Sequence, residues 1–299
     1  MDVEKKVPSS EFRVPSKKKK AGRSILVLLI AVWIAGCGTT NPGNIKRVAL
    51  LAPFEGRYRE IGYNAYYATK LALADYGKND IEFVAVDDGG SVQSAVDRAR
   101  ALAGDPLVKA VIVLGYTATN ADVQQAFGAL PVLIVGDWSA KPETSDTFVL
   151  TSPQIDAMLT LPQSARDVTD AAQIHAPIVG NEVLALEQFP LLAQQPQQAT
   201  VISSGNSPDA DFTKRYVNSA EFTPQPGLLA TLTYDATNIV IQAITSAKNG
   251  NAADVLANIN YDGLNGNIQF KDGYWTDAPI HYFGYDADGI LVPVDRPVK

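Results

Sequence analysis

The sequence predicts an α/β fold built on a parallel sheet covered by helices, and three observations carry that expectation. From Ile45 onward, short β-branched runs alternate with longer segments of helical period. The runs Arg47–Ala52 (RVALLA), Ile81–Val86 (IEFVAV) and Ala110–Leu114 read as strands, the first of them buried. Each is followed by a helical segment long enough for a crossover, and right-handed crossovers of this kind generate parallel strands.

The elements follow in order. After the first strand, Ile61, Ala65, Ala68 and Ala72 recur on one helical face, and after the second, Val92, Ala95, Val96, Ala99, Leu102 and Ala103 do the same until Gly104 ends the helix. Asp122–Phe127 forms a short helix and Val132–Val135 a fourth strand. Ligands of such sheets bind beyond the carboxyl ends of the strands, which directs attention to the loops 53–62, 87–91, 115–119 and 136–141. The second half is less regular. Strands are expected at 147–152, 177–179 and 200–203, and helices at 165–172, 183–193, 211–219 and 233–248. From Gly266 to Val294, short strands joined by turns at Asp272-Gly273 and Asp288-Gly289 read as antiparallel structure.

Composition narrows the function. The 299 residues suggest two domains or lobes, and 46% hydrophobic with 19% charged residues excludes a disordered chain or a polytopic membrane protein. A single cysteine excludes an internal disulfide framework and a thiolate zinc site. His175 and His281 stand apart in the sequence, no Ser/His/Asp set is legible, and no metal, cofactor or enzymatic activity is expected. The net charge of -7 is unevenly spread. Residues 1–36 carry eight basic and three acidic side chains, a net of +5, which leaves -12 on the rest. A folded part that acidic repels phosphate backbones, so nucleic acid is not an expected partner.

The basic leader precedes an apolar stretch, Ile25–Ala35, too short to span a bilayer comfortably. It ends in Ile34-Ala35-Gly36-Cys37, which resembles the lipobox of bacterial lipoproteins, although leucine is commoner than isoleucine at its first position. That resemblance implies a signal peptide over 1–36, lipidation of Cys37 and a membrane-tethered protein outside the cytoplasm; the other reading of these residues is an uncleaved N-terminal anchor. Residues 37–44, with two glycines and a proline, have linker composition.

Four further segments, taken in order, carry a second resemblance: 52–75 (APFEGRYREIGYNAYYATKLALAD), 86–116, 211–244 and 263–273 (GLNGNIQFKDG). Together they resemble the leucine/isoleucine/valine-binding family of type I periplasmic binding proteins, the solute receptors of ABC importers. The resemblance implies a two-lobed fold, with a first lobe of 45–150 and 207–262 and a second of 151–206 and 263–299. Only 26 residues separate Leu150 from Pro177, where the family has a further βαβ stretch, so the second lobe is reduced. It implies a small polar ligand of the amino-acid or amide class, with an ABC permease as partner. By position it places Tyr58, Thr117, Thr119, Asp137 and Ser139 in ligand-binding loops of the first lobe, and Glu182 where an acidic contact is often found.

The residues themselves leave alternatives open. Tyr116 and Trp138, in loops beyond strands, either stack on a ligand or plug the space between lobes. Asp137 would repel a ligand carboxylate, which shifts the expected specificity toward amides, amines or sugars. Glu182 also reads as an acid favoured by a helix start. Asp87-Asp88-Gly89-Gly90 reads as a capped strand-to-helix turn rather than a metal loop, and Tyr63, Tyr66 and Tyr67 as packing residues. A second functional reading is an envelope lipoprotein using the same fold as a protein-interaction or sensory module.

Overall fold

A computed structural model describes residues 45–159, 164–165, 167, 172–173, 176–247 and 250–295. The leader, the tether, Cys37, His175 and most of the helix expected at 165–172 lie outside the described residues.

The first half follows its periodicity closely. Strand β1 (Lys46–Ala52) leads to helix α1 (Arg59–Tyr76), β2 (Ile81–Asp87) to α2 (Val92–Gly104), and β3 (Val108–Val113) to α3 (Ala121–Ala126). Strands β4 (Val132–Val135) and β5 (Thr147–Leu150) follow. All five are parallel neighbours in the order β5-β4-β3-β1-β2. Ile61, Ala65, Ala68 and Ala72 are buried along α1. Helix α1 ends at Gly77, whose φ of 69° is the left-handed cap that lacks a Cβ penalty. Near its other end, a Cβ on Gly62 would lie 2.2 Å from the Pro53 carbonyl oxygen, so the helix start is pressed onto the β1–α1 loop. Gly62→Ala is therefore expected to destabilise the fold by denaturant titration, reversing the gain of up to ~1 kcal/mol that alanine ordinarily brings to a helix.

After β5 come α4 (Pro153–Met158), β6 (Ser164–Ala165), β7 (Ile178–Gly180), a 3-10 turn (Glu182–Ala185), α5 (Gln188–Leu192) and β8 (Ala199–Ser203). The single helix expected over 183–193 is thus two short pieces. Pro190 has no N–H to donate back along the chain and is accommodated only in a first turn, so α5 starts anew at Gln188. The chain returns through α6 (Ala210–Val217), the long α7 (Leu228–Ser246) and α8 (Ala252–Ala257). Helix α7 begins five residues earlier than its sequence pattern suggests and packs along α1 and the first sheet.

The hairpins of the C-terminal segment are antiparallel as expected, but the segment does not all go to the second lobe. Hairpin β9 (Tyr261–Gly263) and β10 (Gly266–Ile268) leads to β11 (Phe270–Lys271) and β12 (Tyr274–Trp275), and β12 pairs in parallel with β5 to extend the large sheet. Only β13 (His281–Tyr285) and β14 (Leu291–Val294) join β6, β7 and β8 in the smaller sheet. The assignment of 263–299 to the second lobe is corrected to that extent. Phe270 and Trp275 are apolar side chains that bury against the large sheet, where Phe270 meets Phe148.

One apolar core runs through both parts. It joins Leu50, Ile112 and Leu133 of the large sheet, through Leu229 and Leu232 of α7, to Val183, Leu184, Phe189, Val201 and Phe283 on the smaller side. A five-stranded second lobe has too little interior of its own, and sharing the core of the first supplies it.

Candidate functional site

The sheet order reverses direction at β1, with β2 on one side and β3 on the other, and this is where a parallel sheet opens a crevice. The loops after these three strands, with Arg98 of α2, line a cavity of about 610 Å³. Tyr58, Tyr116 and Thr117 are on its wall. Gly115 enters it with φ 93°, and a Cβ there would come within 2.9 Å of the Pro53 ring. The Tyr58 hydroxyl donates to the Asp167 carboxylate beside β6, and Arg57 Nη1 lies 3.5 Å from the same group. Two side chains of the large lobe thus reach the small one at the cavity rim.

The acidic turn at one edge is largely self-satisfied. Asp87 accepts from the backbone N–H groups of Phe54 (2.7 Å) and Gly89 (2.8 Å), and Asp88 from that of Gly90 (2.9 Å). Ser91 caps α2 by accepting from Ser94 N. Burial raises the Asp88 carboxyl above its ordinary range. Among the described residues, no cluster of three or more His, Cys, Asp or Glu side chains could hold a metal ion.

The remaining candidates do not line this cavity. Thr119 is buried, and its hydroxyl donates to Gly115 O at 2.9 Å, which holds the β3 loop in shape. Trp138 is buried with Nε1 donating to Val135 O at 2.5 Å, and meets Tyr116 edge to face, 5.2 Å between centroids. Ser139 is exposed, with its backbone in the left-handed region at φ 56°. Of the two readings of Tyr116 and Trp138, Trp138 fills the interior and Tyr116 reaches the cavity.

Asp137 and Glu182 meet across the lobes. The Asp137 N–H donates to Glu182 Oε2 at 3.1 Å, and the Ser203 hydroxyl donates to Glu182 Oε1 at 2.7 Å. Asn181 Nδ2 donates to Asp137 O (2.5 Å) and to the Tyr116 hydroxyl (2.7 Å). Glu182 is 1% exposed. Its removal from water, and next the nearby Asp137 carboxylate, push it up to about 7 against hydrogen bonds from the Ser203 hydroxyl and from the backbone of Glu182 itself and of Asp137, which favour its charged form. Glu182 of the second lobe thereby takes the backbone N–H of the β4 loop. Asn181, Ser203 and Asp167 complete this arrangement and went unnoticed in the sequence. Asn181 precedes Glu182 and Ser203 ends a strand, which are usable signals, whereas Asp167 has none.

No protein-family model and no curated protein matches the sequence. Solved structures do. An extracellular ligand-binding receptor from Desulfohalobium retbaense superposes with a TM-score of 0.68 at 16% identity, over 84% of this chain and 59% of that one. An ABC-transporter solute-binding protein from R. palustris, in complex with benzoate, gives 0.66 at 12% identity, over 84% and 95%. The branched-chain amino acid transporter substrate-binding protein LivJ from Streptococcus pneumoniae, in complex with isoleucine, gives 0.62 at 16%, over 84% and 100%. These neighbours are binding proteins rather than enzymes. The chain has the two-lobed type I periplasmic-binding fold, with a large parallel sheet flanked by helices.

Proposed function

We propose that this protein is an extracytoplasmic solute-binding protein of an ABC importer, lipid-anchored through Cys37, with a binding and not a catalytic role. Its ligand is a small polar molecule of the amino-acid or amide class. The observation that carries this reading is the 610 Å³ cavity at the carboxyl ends of β1, β2 and β3, walled by Tyr58, Tyr116 and Thr117 and bordered by Arg57 and Arg98 as well as Asp87 and Asp88. Hydroxyls and both signs of charge around one space suit a molecule that carries an amine or amide at one end and an acceptor at the other. Thr119, Asp137, Trp138 and Glu182 then act away from the cavity lining, holding the loops that shape it, and Ser139 stays exposed beside them. No helix among the described residues is long and apolar enough to cross a membrane, so attachment rests on the leader and Cys37.

A second reading, a protein-interaction or sensory module, draws on the Asp137–Glu182–Ser203 contact, which occupies the space between the lobes with the protein's own groups. One experiment separates the two. In a thermal-shift panel of amino acids, amides and ureas, the transport reading expects a stabilising ligand, worth about 2.7 kcal/mol at a hundred times Kd. Thr117→Ala should weaken that effect. No stabilisation across the panel, together with an envelope protein that co-purifies equally with wild type and Thr117→Ala, favours the module.

A further inference from the structure

A second cavity, of about 630 Å³, lies on the other side of the β1–α1 loop and shares only Gly56 and Arg57 with the first. Its walls are Glu60, Tyr63 and Tyr67 of α1, the Glu187–Leu191 stretch at α5, and Phe222 in the loop before α7. Three of the six large hydrophobic side chains that this fold leaves exposed among the described residues line it: Tyr63, Leu191 and Phe222. Leu191 is 85% and Phe222 87% exposed, and Phe222 sits at φ 63°, a backbone region costly for a bulky residue and commoner where a ligand is handled.

Two basic and two acidic side chains line it. Arg57 Nη1 lies 3.5 Å from Asp167 at one edge, and Arg59 has no ion pair among the described residues. Glu60 accepts from the Glu187 N–H at 2.9 Å, which brings the two acids together, and the Glu187 carboxylate has no partner among the described residues. The tyrosine rings of this helix already receive a cation, since Lys70 Nζ stands 5.5 Å from the Tyr66 centroid and 6.0 Å from that of Tyr67. Aromatic faces beside a pair of acidic side chains attract organic cations more than anions of the same shape.

We propose that this cavity is a second ligand site, for an organic ammonium ion with an aromatic or branched apolar body: the ammonium between Glu60 and Glu187, the body on Tyr63, Tyr67 and Phe222. The site is separate from the cavity assigned to the imported solute, and either assignment stands or falls without the other.

The test is calorimetric titration of the full-length protein with phenethylamine, and with hydrocinnamate as a carboxylate of similar body. Saturable one-to-one binding of the amine alone is expected. Glu187 is a surface residue, so Glu187→Gln keeps the fold and should weaken amine binding by about tenfold, the loss of one charge-assisted contact. Phe222→Gly should weaken it as well, and Thr117→Ala, in the first cavity, should leave it unchanged. The proposal is overturned if the amine fails to bind, if hydrocinnamate binds equally well, or if Thr117→Ala abolishes binding while Glu187→Gln does not.

Discussion

Raising the pH from 5 to 8 should remove roughly 2 to 3 kcal/mol of stability through Glu182 alone, and Glu182→Gln should abolish that share of the loss. The carboxyl is pushed from an ordinary value of 4.5 up to about 7 in the fold. Between those values the folded state holds the proton more tightly than the unfolded chain does. The stabilising contribution is thus fully present below about 4.5 and disappears as the pH rises through about 7. Above that, an ionised Glu182 is buried against Asp137, and the Ser203 hydroxyl, its own backbone N–H and that of Asp137 offset only part of the cost. Glutamine is the same size, stays neutral, and retains an oxygen for the Asp137 N–H. Burial pushes Glu60 up to about 7 as well, so part of the wild-type slope persists in the variant, and the difference between the two proteins is what matters. Urea unfolding at pH 5, 6, 7 and 8 measures it. Parallel stability curves for wild type and Glu182→Gln would show that the carboxyl titrates normally.

A loss of about 3 to 5 kcal/mol is expected for Asp235→Ala. Asp235 is fully buried on α7 and accepts from Leu264 N (3.0 Å), Asn265 N (2.9 Å) and Asn265 Nδ2 (2.7 Å). Burial raises its carboxyl above the usual range, and these three donors oppose the shift. Alanine would leave two backbone N–H groups of the β9–β10 turn without a partner in the interior. Gly263 belongs to the same construction, because a Cβ there would lie 2.4 Å from Asp235 Oδ2. The turn launches the segment that supplies β12 to the large sheet and β13 to the small one, so its loss should loosen both. Asp235→Asn keeps one acceptor oxygen and should cost less than alanine. A loss under about 1 kcal/mol for alanine, by denaturant titration, would contradict the accounting.

Much of the fold was legible because its first half obeys local rules. Ile61, Ala65, Ala68 and Ala72 mark a helix face whatever lies around them, and they are buried on α1. The Asp87–Gly90 turn could likewise be read from its residues, since side-chain acceptors followed by glycines stabilise a turn through neighbours only two positions away. The short strands of the second half gave weaker signals. A two-residue strand such as β12 has no periodicity to read, and only its pairing with β5 assigns it to the large sheet.

The candidate site divides along the same line. Placing Tyr58, Tyr116 and Thr117 at a cavity followed from the loops in which they stand. Whether Asp137 and Glu182 face a ligand or each other depends on how closely two sheets approach, and residues 45 positions apart carry no trace of that in their spacing.

By itself, then, the sequence determined the alternation of strands and helices, the parallel large sheet, and the loops at its carboxyl edge, because periodicity and turn chemistry act over a few residues. The tertiary structure alone decided that a short second lobe shares the core of the first, and that Glu182 spends its hydrogen bonds on Asp137 and Ser203. A lobe too small to bury its own apolar surface must lean on its neighbour, and that approach brings the two carboxyl groups together.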